Sequence, residues 1–540
     1  MAYSTFKKSI SLFVVIVLTA CSFQAKAQYD FTMQGMTLVP QRMYINPSFI
    51  PDSKWHIGIP VLSSNHITLG YSGHACSQIV KRDGNDSLFV DLQGALDKMG
   101  KTNYLTLNAK IDLLSFSFTV GPNKNNFIYF NSSLRISSRL TLPRQGLEFL
   151  WKGNAAFLGE TIDLKKLNAD GSVYTEYGIS YARKLLDKKL RVGITVKYLN
   201  GSANASTDNR GLSIFTDPNN FNITAQADFT ARTSGFFNDI DNINPLNIAF
   251  SGNHGFAFNI GAHYMIDDKW EVAASANDLG MIFWKDNIKN YDLNDASFTY
   301  QGLDLVEFLT QPDSADVFNE FVDTLTSVFD IQENEDSYST TLSSQIYISG
   351  AYNFTDKDRL GLDFYGEIFK THFEPAVALN YTRKFGTIFH LSGSYMYNAR
   401  SFANFGFGFA LTLGPVQWYL AMDNVLAPII PQHSQNAHFH SGLNFVVNYK
   451  DKGIKDRDGD GIADKVDNCP DQFGLELYLG CPDTDLDSIP DHVDNCPTEA
   501  GPKLNGGCPW GDKDADGLTD NVDECPEVPG PEENEGCPWG

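Results

Sequence analysis

The stretch FAFNIGAHYMI, residues 256–266, decides how this chain folds. Phe256, Phe258, Ile260, Ala262, Tyr264 and Ile266 form one alternating set, apolar and mostly large. Ala257, Asn259, Gly261, His263 and Met265 form the other. Successive side chains of a strand point to opposite faces, so period two predicts a strand with one apolar and one small or polar face. NFGFGFALTL, residues 404–413, repeats the pattern, with Phe405, Phe407, Phe409, Leu411 and Leu413 against Asn404, Gly406, Gly408, Ala410 and Thr412.

A soluble sandwich alternates as well. Here the apolar face is aromatic and the segments are long, as tilted membrane-crossing strands require. Further runs lie at Leu190–Tyr198, Gln345–Phe354, Leu360–Phe369, Pro375–Arg383, Ile388–Tyr397, Val416–Met422 and His438–Tyr449. The turns between them are short, such as TDKD (355–358) and DDK (267–269). Hairpin after hairpin predicts an all-β, up-and-down transmembrane barrel, because closure hides every sheet edge from lipid. The last run ends on Tyr449, like the terminal aromatic of an outer-membrane strand. Small helical inserts are expected near Val90–Met99 and over Val317–Phe329, where apolar residues recur at helical spacing after Asp313 or Ser314.

The rest of the chain agrees with export. Lys7 and Lys8 precede an apolar run, Ile10–Ala20, and AKA (25–27) offers small residues for cleavage. Residues 1–27 therefore read as a signal peptide, although Leu18-Thr19-Ala20-Cys21 also resembles a lipobox. The net charge of −24 argues against nucleic acid as a partner. That charge is uneven. Residues 451–540 hold 24 acidic and 6 basic side chains and carry −18, leaving −6 for the other 450. The chain thus divides into a barrel, residues 28–450, whose partner is outer-membrane lipid, and an acidic tail, residues 451–540.

MTLVPQRMYINPSFIPDSKWHIGIPVLSS (36–64), DDKWEVAASANDLGMIFW (267–284) and LAMDNVLAP (420–428) resemble a Bacteroidota family of outer-membrane barrels without assigned function, DUF5723-like. That family is similar in style to fatty-acid-transporter-like barrels and to the barrels that accompany the type IX secretion machinery. The resemblance implies about 14 strands and an envelope location, and it carries no site residues.

The tail repeats one loop three times, at offsets of 27 and 29 residues. The first copy has Asp456, Asp458, Asp460, Asp464 and Asp467, with Gly461 at the turn and the Ile462 carbonyl available at position 7. The second has Asp483, Asp485, Asp487, Ile489, Asp491 and Asp494, and the third Asp512, Asp514, Asp516, Leu518, Asp520 and Asp523. Carboxylates at positions 1, 3, 5, 9 and 12 with a glycine at 6 suit calcium, a hard cation taking six to eight oxygens. Zinc fits worse, because the cysteines follow the loops singly.

Each loop ends in Cys-Pro, which stops an exiting helix, so this is not an EF-hand. With few large apolar residues, the tail must take its order from metal and crosslinks. Cys469 and Cys481, Cys496 and Cys508, and Cys525 and Cys537 are each 12 residues apart, which favours sequential pairing. Six cysteines still allow 15 connectivities. The aspartate ladders and Cys-Pro pairs resemble thrombospondin type 3 repeats. The second copy departs from the pattern, with Ser488 in place of the turn glycine and Pro490 at position 8. Such repeats often connect a barrel to an OmpA-like peptidoglycan-binding domain, which this sequence does not contain.

No catalytic pattern is present. GYSGH (70–74) misses the GxSxG elbow, Cys76 reads as an inert thiol, and His433, His438 and His440 read as polar lumen or loop residues rather than a metal site. The expected function is non-enzymatic: a barrel with a calcium-rigidified stalk that organises the envelope by reaching peptidoglycan or a periplasmic protein. The alternatives are a channel or carrier for small hydrophobic or polar solutes, with the helical inserts as plug, and a surface adhesin.

Overall fold

A computed structural model describes residues 30–51, 53–72, 80–82, 88–121, 123–238, 250–300, 332–370, 372–398, 401–429, 436–448 and 456–540. The chain forms two compact units, residues 1–448 and 449–540.

The first unit is a closed antiparallel barrel of 14 strands. They are β1 (Ser53–Gly58, resumed at Asn65–Tyr71), β2 (Thr102–Val120), β3 (Asn126–Pro143), β4 (Asn168–Leu185), β5 (Leu190–Asn209), β6 (Asn253–Met265) and β7 (Trp270–Trp284). There follow β8 (Ser344–Asn353), β9 (Asp358–Phe369), β10 (His372–Phe385), β11 (Phe389–Asn398), β12 (Ser401–Leu413), β13 (Val416–Met422) and β14 (Asn436–Asn448). Each strand pairs with its successor, and β14 closes on both halves of β1, from Ser53 opposite Asn448 to Gly70 opposite Asn436. Closure leaves no free edge within the wall.

Alternation places the two residue sets as the sequence predicts, with the polar side inward. On β6, Phe256, Phe258 and Ile260 are 45%, 39% and 49% exposed, whereas Ala257 and Asn259 are 0% and 3%. In a bilayer the exposed aromatics face lipid, where their burial is favourable, and the inner set lines the lumen.

The two rims differ. One has short connections, at 186–189, 266–269, 354–357 and 414–415, and also holds the start of β1 and the end of β14. At the other, 144–167, 210–252 and 285–343 are long. There β5 runs to Asn209 instead of stopping near the predicted Tyr198, and Ala203–Asn209 pair with a further strand, Ile223–Gly235. Beyond Tyr198 the sequence SANASTDN has no large apolar residues, so the period is invisible although the strand continues above the apolar band.

The helical insert near Val90–Met99 is the helix Leu92–Lys98, capped by the Asp91 carboxylate, which accepts from the Gly94 amide at 2.8 Å. The one expected over Val317–Phe329, the leader, Cys76 and His433 lie outside the described residues.

The second unit is three similar loops with little regular structure. Disulfides join Cys469 to Cys481, Cys496 to Cys508 and Cys525 to Cys537, the sequential pairing. A short 3₁₀ turn lies within each closed loop, at Glu476–Tyr478, Lys503–Asn505 and Glu532–Asn534.

Candidate functional site

The N-terminal segment Asp30–Ile50 sits inside the barrel. Phe31, Met33, Met36, Val39 and Ile45 are buried against inward residues such as Tyr347, Tyr365, Met396 and Tyr419. Polar contacts fix its path across the lumen. The Phe31 and Thr32 amides donate to Asp423, at 3.2 and 2.8 Å. The Gln41 amide group donates to Asn444 Oδ1 at 2.8 Å. Further along, Ser275 and Asn277 donate to the Ile45 carbonyl at 2.7 and 2.6 Å. The small inner residues of the wall now have a reason. A side chain at Gly261 would collide with Asn46, one at Gly193 with Pro47, and one at Gly406 or Gly408 with Thr32. The wall is hollowed where the plug passes.

Around the plug the lumen is charged. Lys110 (β2), Arg135 (β3) and Lys197 (β5) face Asp112 (β2), Glu176 (β4) and Asp278 (β7), three cations and three anions. Lys110 lies 2.9 Å from Glu176, Lys197 lies 3.2 Å from Glu176 and 2.5 Å from Asp278, and Arg135 lies 3.0 Å from Asp278. Asp112 accepts from Tyr44 of the plug at 2.5 Å. Asp278 reaches this network through a bulge. It takes φ 55°, and both Asn277 and Asp278 then turn inward. Simple alternation would send one of them to lipid.

Nearer the short-turn rim, Glu271 joins Arg359 (2.5 Å) and His263 (2.9 Å). A polar cavity of about 470 Å³ opens here, lined by Arg42, Arg191, His263, Glu271, Arg359 and Lys384 among others. Toward the other rim, Arg139 (β3) reaches Glu367 (β9) and Glu374 (β10) at 3.7 Å, joining opposite walls, beside a smaller cavity of about 60 Å³. Plug, ion pairs and cavities make up a lumen that is lined by charged groups around an apolar-packed plug and obstructed by it.

Among the charged lumen residues none was singled out from sequence, and His263, Gly261, Gly406 and Gly408 were named there only as members of the polar or small face. Lumen charges are single polar positions in alternating strands, and only the fold assembles them. The available signal was the alternation itself, which marks inward positions without saying what they meet.

The tail residues converge as their spacing predicts. In each copy the aspartates at positions 1, 3 and 5 (456/458/460, 483/485/487 and 512/514/516) offer oxygens within 4.8 Å of one another. The Asp458 Oδ2, the Asp485 Oδ2 and both Asp514 carboxylate oxygens are buried without a hydrogen-bond partner. So are Oδ2 of Asp467 and of Asp494, at position 12. Anionic oxygens hidden from water without a donor are costly unless a cation takes them. Partial desolvation, aided by neighbouring carboxylates, raises the pKa of Asp458, Asp485 and Asp514. These residues therefore fit calcium.

Position 9 does something more local. Asp464, Asp491 and Asp520 accept from the backbone amide at position 2, at 3.0, 2.7 and 2.9 Å, folding the loop back. The carbonyl-bearing residues Ile462, Ile489 and Leu518 each donate an amide to the aspartate at position 5, at 2.8, 2.8 and 2.9 Å. Ser488 keeps φ at 75°, the left-handed conformation that Gly461 and Gly517 occupy in the other copies.

Residues 47–423 match a family described as a family of unknown function, DUF5723. Residues 451–472, 482–504 and 508–533 match the thrombospondin type 3 repeat. No curated protein matches. Among solved structures, a Pseudomonas aeruginosa FadL homologue covers 79% of this chain and 98% of its own at 9% identity and TM-score 0.38. The toluene transporter TodX of P. putida covers 79% and 96% at 11% identity and TM-score 0.34. The toluene transporter TbuX of Ralstonia pickettii covers 76% and 93% at 9% identity and TM-score 0.33. These structures are outer-membrane channels and transporters, and that finding corrects the expectation of a structural tether to peptidoglycan.

Proposed function

Since the chain belongs to the DUF5723 family, we propose as its function an outer-membrane channel or carrier for small solutes, closed by its own N-terminal segment. The observation that carries this reading is the seating of Asp30–Ile50 in the lumen. It is held to the wall by dispersed hydrogen bonds rather than by a continuous strand pairing. A segment attached in this way is displaced without unfolding the wall, whose strand ladders do not include it. The lining favours polar or charged solutes. Arg42, Arg191, Glu271 and Arg359 surround the larger cavity, and a hydrocarbon entering there would strip water from charged groups for no return.

Short turns face the periplasm in outer-membrane barrels. That rule supports a periplasmic side for the short-turn rim, where β14 ends, and a periplasmic start for the tail. Calcium bound to the three aspartate triads would neutralise their crowded carboxylates, and the residues that hold it are those at positions 1, 3, 5 and 12, with carbonyl oxygens at 7.

Solute flux into liposomes tests the reading. The intact protein is expected to pass small polar solutes slowly, and a variant lacking residues 30–50 to pass them several-fold faster. Resistance of the barrel to unfolding in cold detergent shows that the variant's wall is intact. Equal, negligible flux through both folded proteins would overturn the channel reading.

A further inference from the structure

The lumen contains a histidine cluster that the transport reading leaves unused. His66 on the second half of β1 lies directly opposite His440 on β14, at the seam where the barrel closes. His438 stands one inward step away on the same strand. All three are buried, and all face Asp30, the first described residue of the plug. Asp30 Oδ1 lies 2.9 Å from His438 Nε2 and 3.0 Å from His440 Nδ1, and Oδ2 lies 3.8 Å from His66 Nδ1. The facing atoms of Asp30, His66 and His440 are all within 4.8 Å of one another.

We propose that Asp30, His66 and His440 bind a zinc-class divalent transition-metal ion that pins the plug to the barrel seam, with water completing the coordination. Zinc–nitrogen bonds of about 2.0–2.1 Å put neighbouring ligand atoms of a tetrahedron about 3.3 Å apart. The distances from the Asp30 carboxylate to the two ligand imidazoles, 3.0 Å from Oδ1 to His440 Nδ1 and 3.8 Å from Oδ2 to His66 Nδ1, bracket that spacing. The donor set excludes the ion of the tail. Imidazole nitrogen selects zinc, copper or nickel, whereas calcium takes oxygen alone.

Metal-binding histidines need the outer ring nitrogen held, which fixes tautomer and direction. Both proposed ligands have this. His66 Nε2 lies 2.9 Å from Thr68 Oγ1, and His440 Nε2 lies 2.8 Å from Ser64 Oγ and 3.2 Å from the Tyr419 hydroxyl. The rings pack closely, with centroids 4.7 Å apart for His66 and His438 and 5.0 Å for His66 and His440. Two carboxylates, Asp30 and Asp423, border three imidazoles. A divalent ion there, with neutral imidazoles, leaves the cluster without net charge. The three groups come from the plug, the first strand and the last strand, so the ion crosslinks elements that hydrogen bonds and side-chain packing otherwise join. This pin does not depend on what the barrel transports.

The test uses tag-free, full-length protein in detergent, stripped with chelator and resupplied with saturating calcium so that the tail is occupied. Titration with cobalt(II) should give one ion per chain with the visible absorption of a four-coordinate nitrogen–oxygen site, displaced by zinc. Asp30→Asn, which alters only the plug, and His66→Gln should each abolish that absorption while the barrel keeps its resistance to unfolding. Thr68→Val should weaken affinity by about 10- to 100-fold. No cobalt uptake by the folded wild type, or uptake unchanged in Asp30→Asn and His66→Gln, would overturn the proposal and leave the cluster as a hydrogen-bonded one.

Discussion

Barrel and tail are held together by opposite means. The barrel turns its large apolar residues outward and its charges inward, and its order comes from closed strand pairing and a balanced lumen network. The tail has almost no buried apolar side chains, with Cys481 and Ile489 the buried exceptions among its described residues. Its order comes from three disulfides and three carboxylate clusters. The two units should therefore fail under different treatments.

The largest effect is expected from chelation combined with reduction. Each disulfide closes a loop of similar length and contributes about 3 kcal/mol. Losing all three together with calcium should make residues 451–540 fully susceptible to protease while the barrel remains resistant in detergent. Parallel loss of both units would show that the division is wrong.

The converse treatment breaks the lumen. Lys197→Ala leaves Glu176 and Asp278 short of a partner in a buried site, and removing one member of such a pair costs about 3–5 kcal/mol. Barrel unfolding measured by temperature should fall markedly, with calcium uptake by the tail unchanged.

Acid separates the units more gently. Asp458, Asp485 and Asp514 have pKa values raised by desolvation and neighbouring carboxylates. With a folded pKa above the unfolded one, the metal-free loops lose stability as pH rises through that window, and protons compete with calcium as it falls. Calcium affinity measured by titration calorimetry should therefore drop as pH is lowered toward about 4, the ordinary carboxylate range. A flat profile between neutrality and that pH would argue against ligation by these groups.

The smallest effect concerns the second loop. Ser488 at φ 75° and Leu486 at φ 66° hold left-handed conformations that Gly461 and Gly459 occupy in the first. Such strain costs on the order of 1 kcal/mol per residue, so Ser488→Gly should raise the affinity of that loop by about fivefold. Unchanged affinity would mean that the strain is not borne at this position.

Legibility followed the same divide. In the tail, ligands and cysteines are local in sequence, so the triads could be read from spacing, and the 12-residue separations favoured the disulfide pairing that the structure shows without excluding the others. In the barrel the sequence shows which face each residue occupies, as at Phe256 and Ala257, but not what faces it across the lumen. Asp30 and His440 are 410 residues apart, as the contact between them shows. Asp278 enters its network only through a bulge, a departure from the period that predicted its strand. The plug was missed because MQGMTLVPQRMYINPSF (33–49) has neither strand nor helical period. Its residues are ordered by the wall around them.

Closure of a conducting barrel by its N-terminal segment is open to direct test. Thr32 Oγ1 on the plug and Ser394 Oγ on the wall are 2.7 Å apart, close enough for a disulfide between cysteines at these positions. Flux of a small polar solute into liposomes should fall to background in oxidised Thr32→Cys/Ser394→Cys protein and return to the wild-type value on reduction. The wild type and each single variant should not respond to reduction. Undiminished flux through the oxidised, fully crosslinked variant would contradict the account.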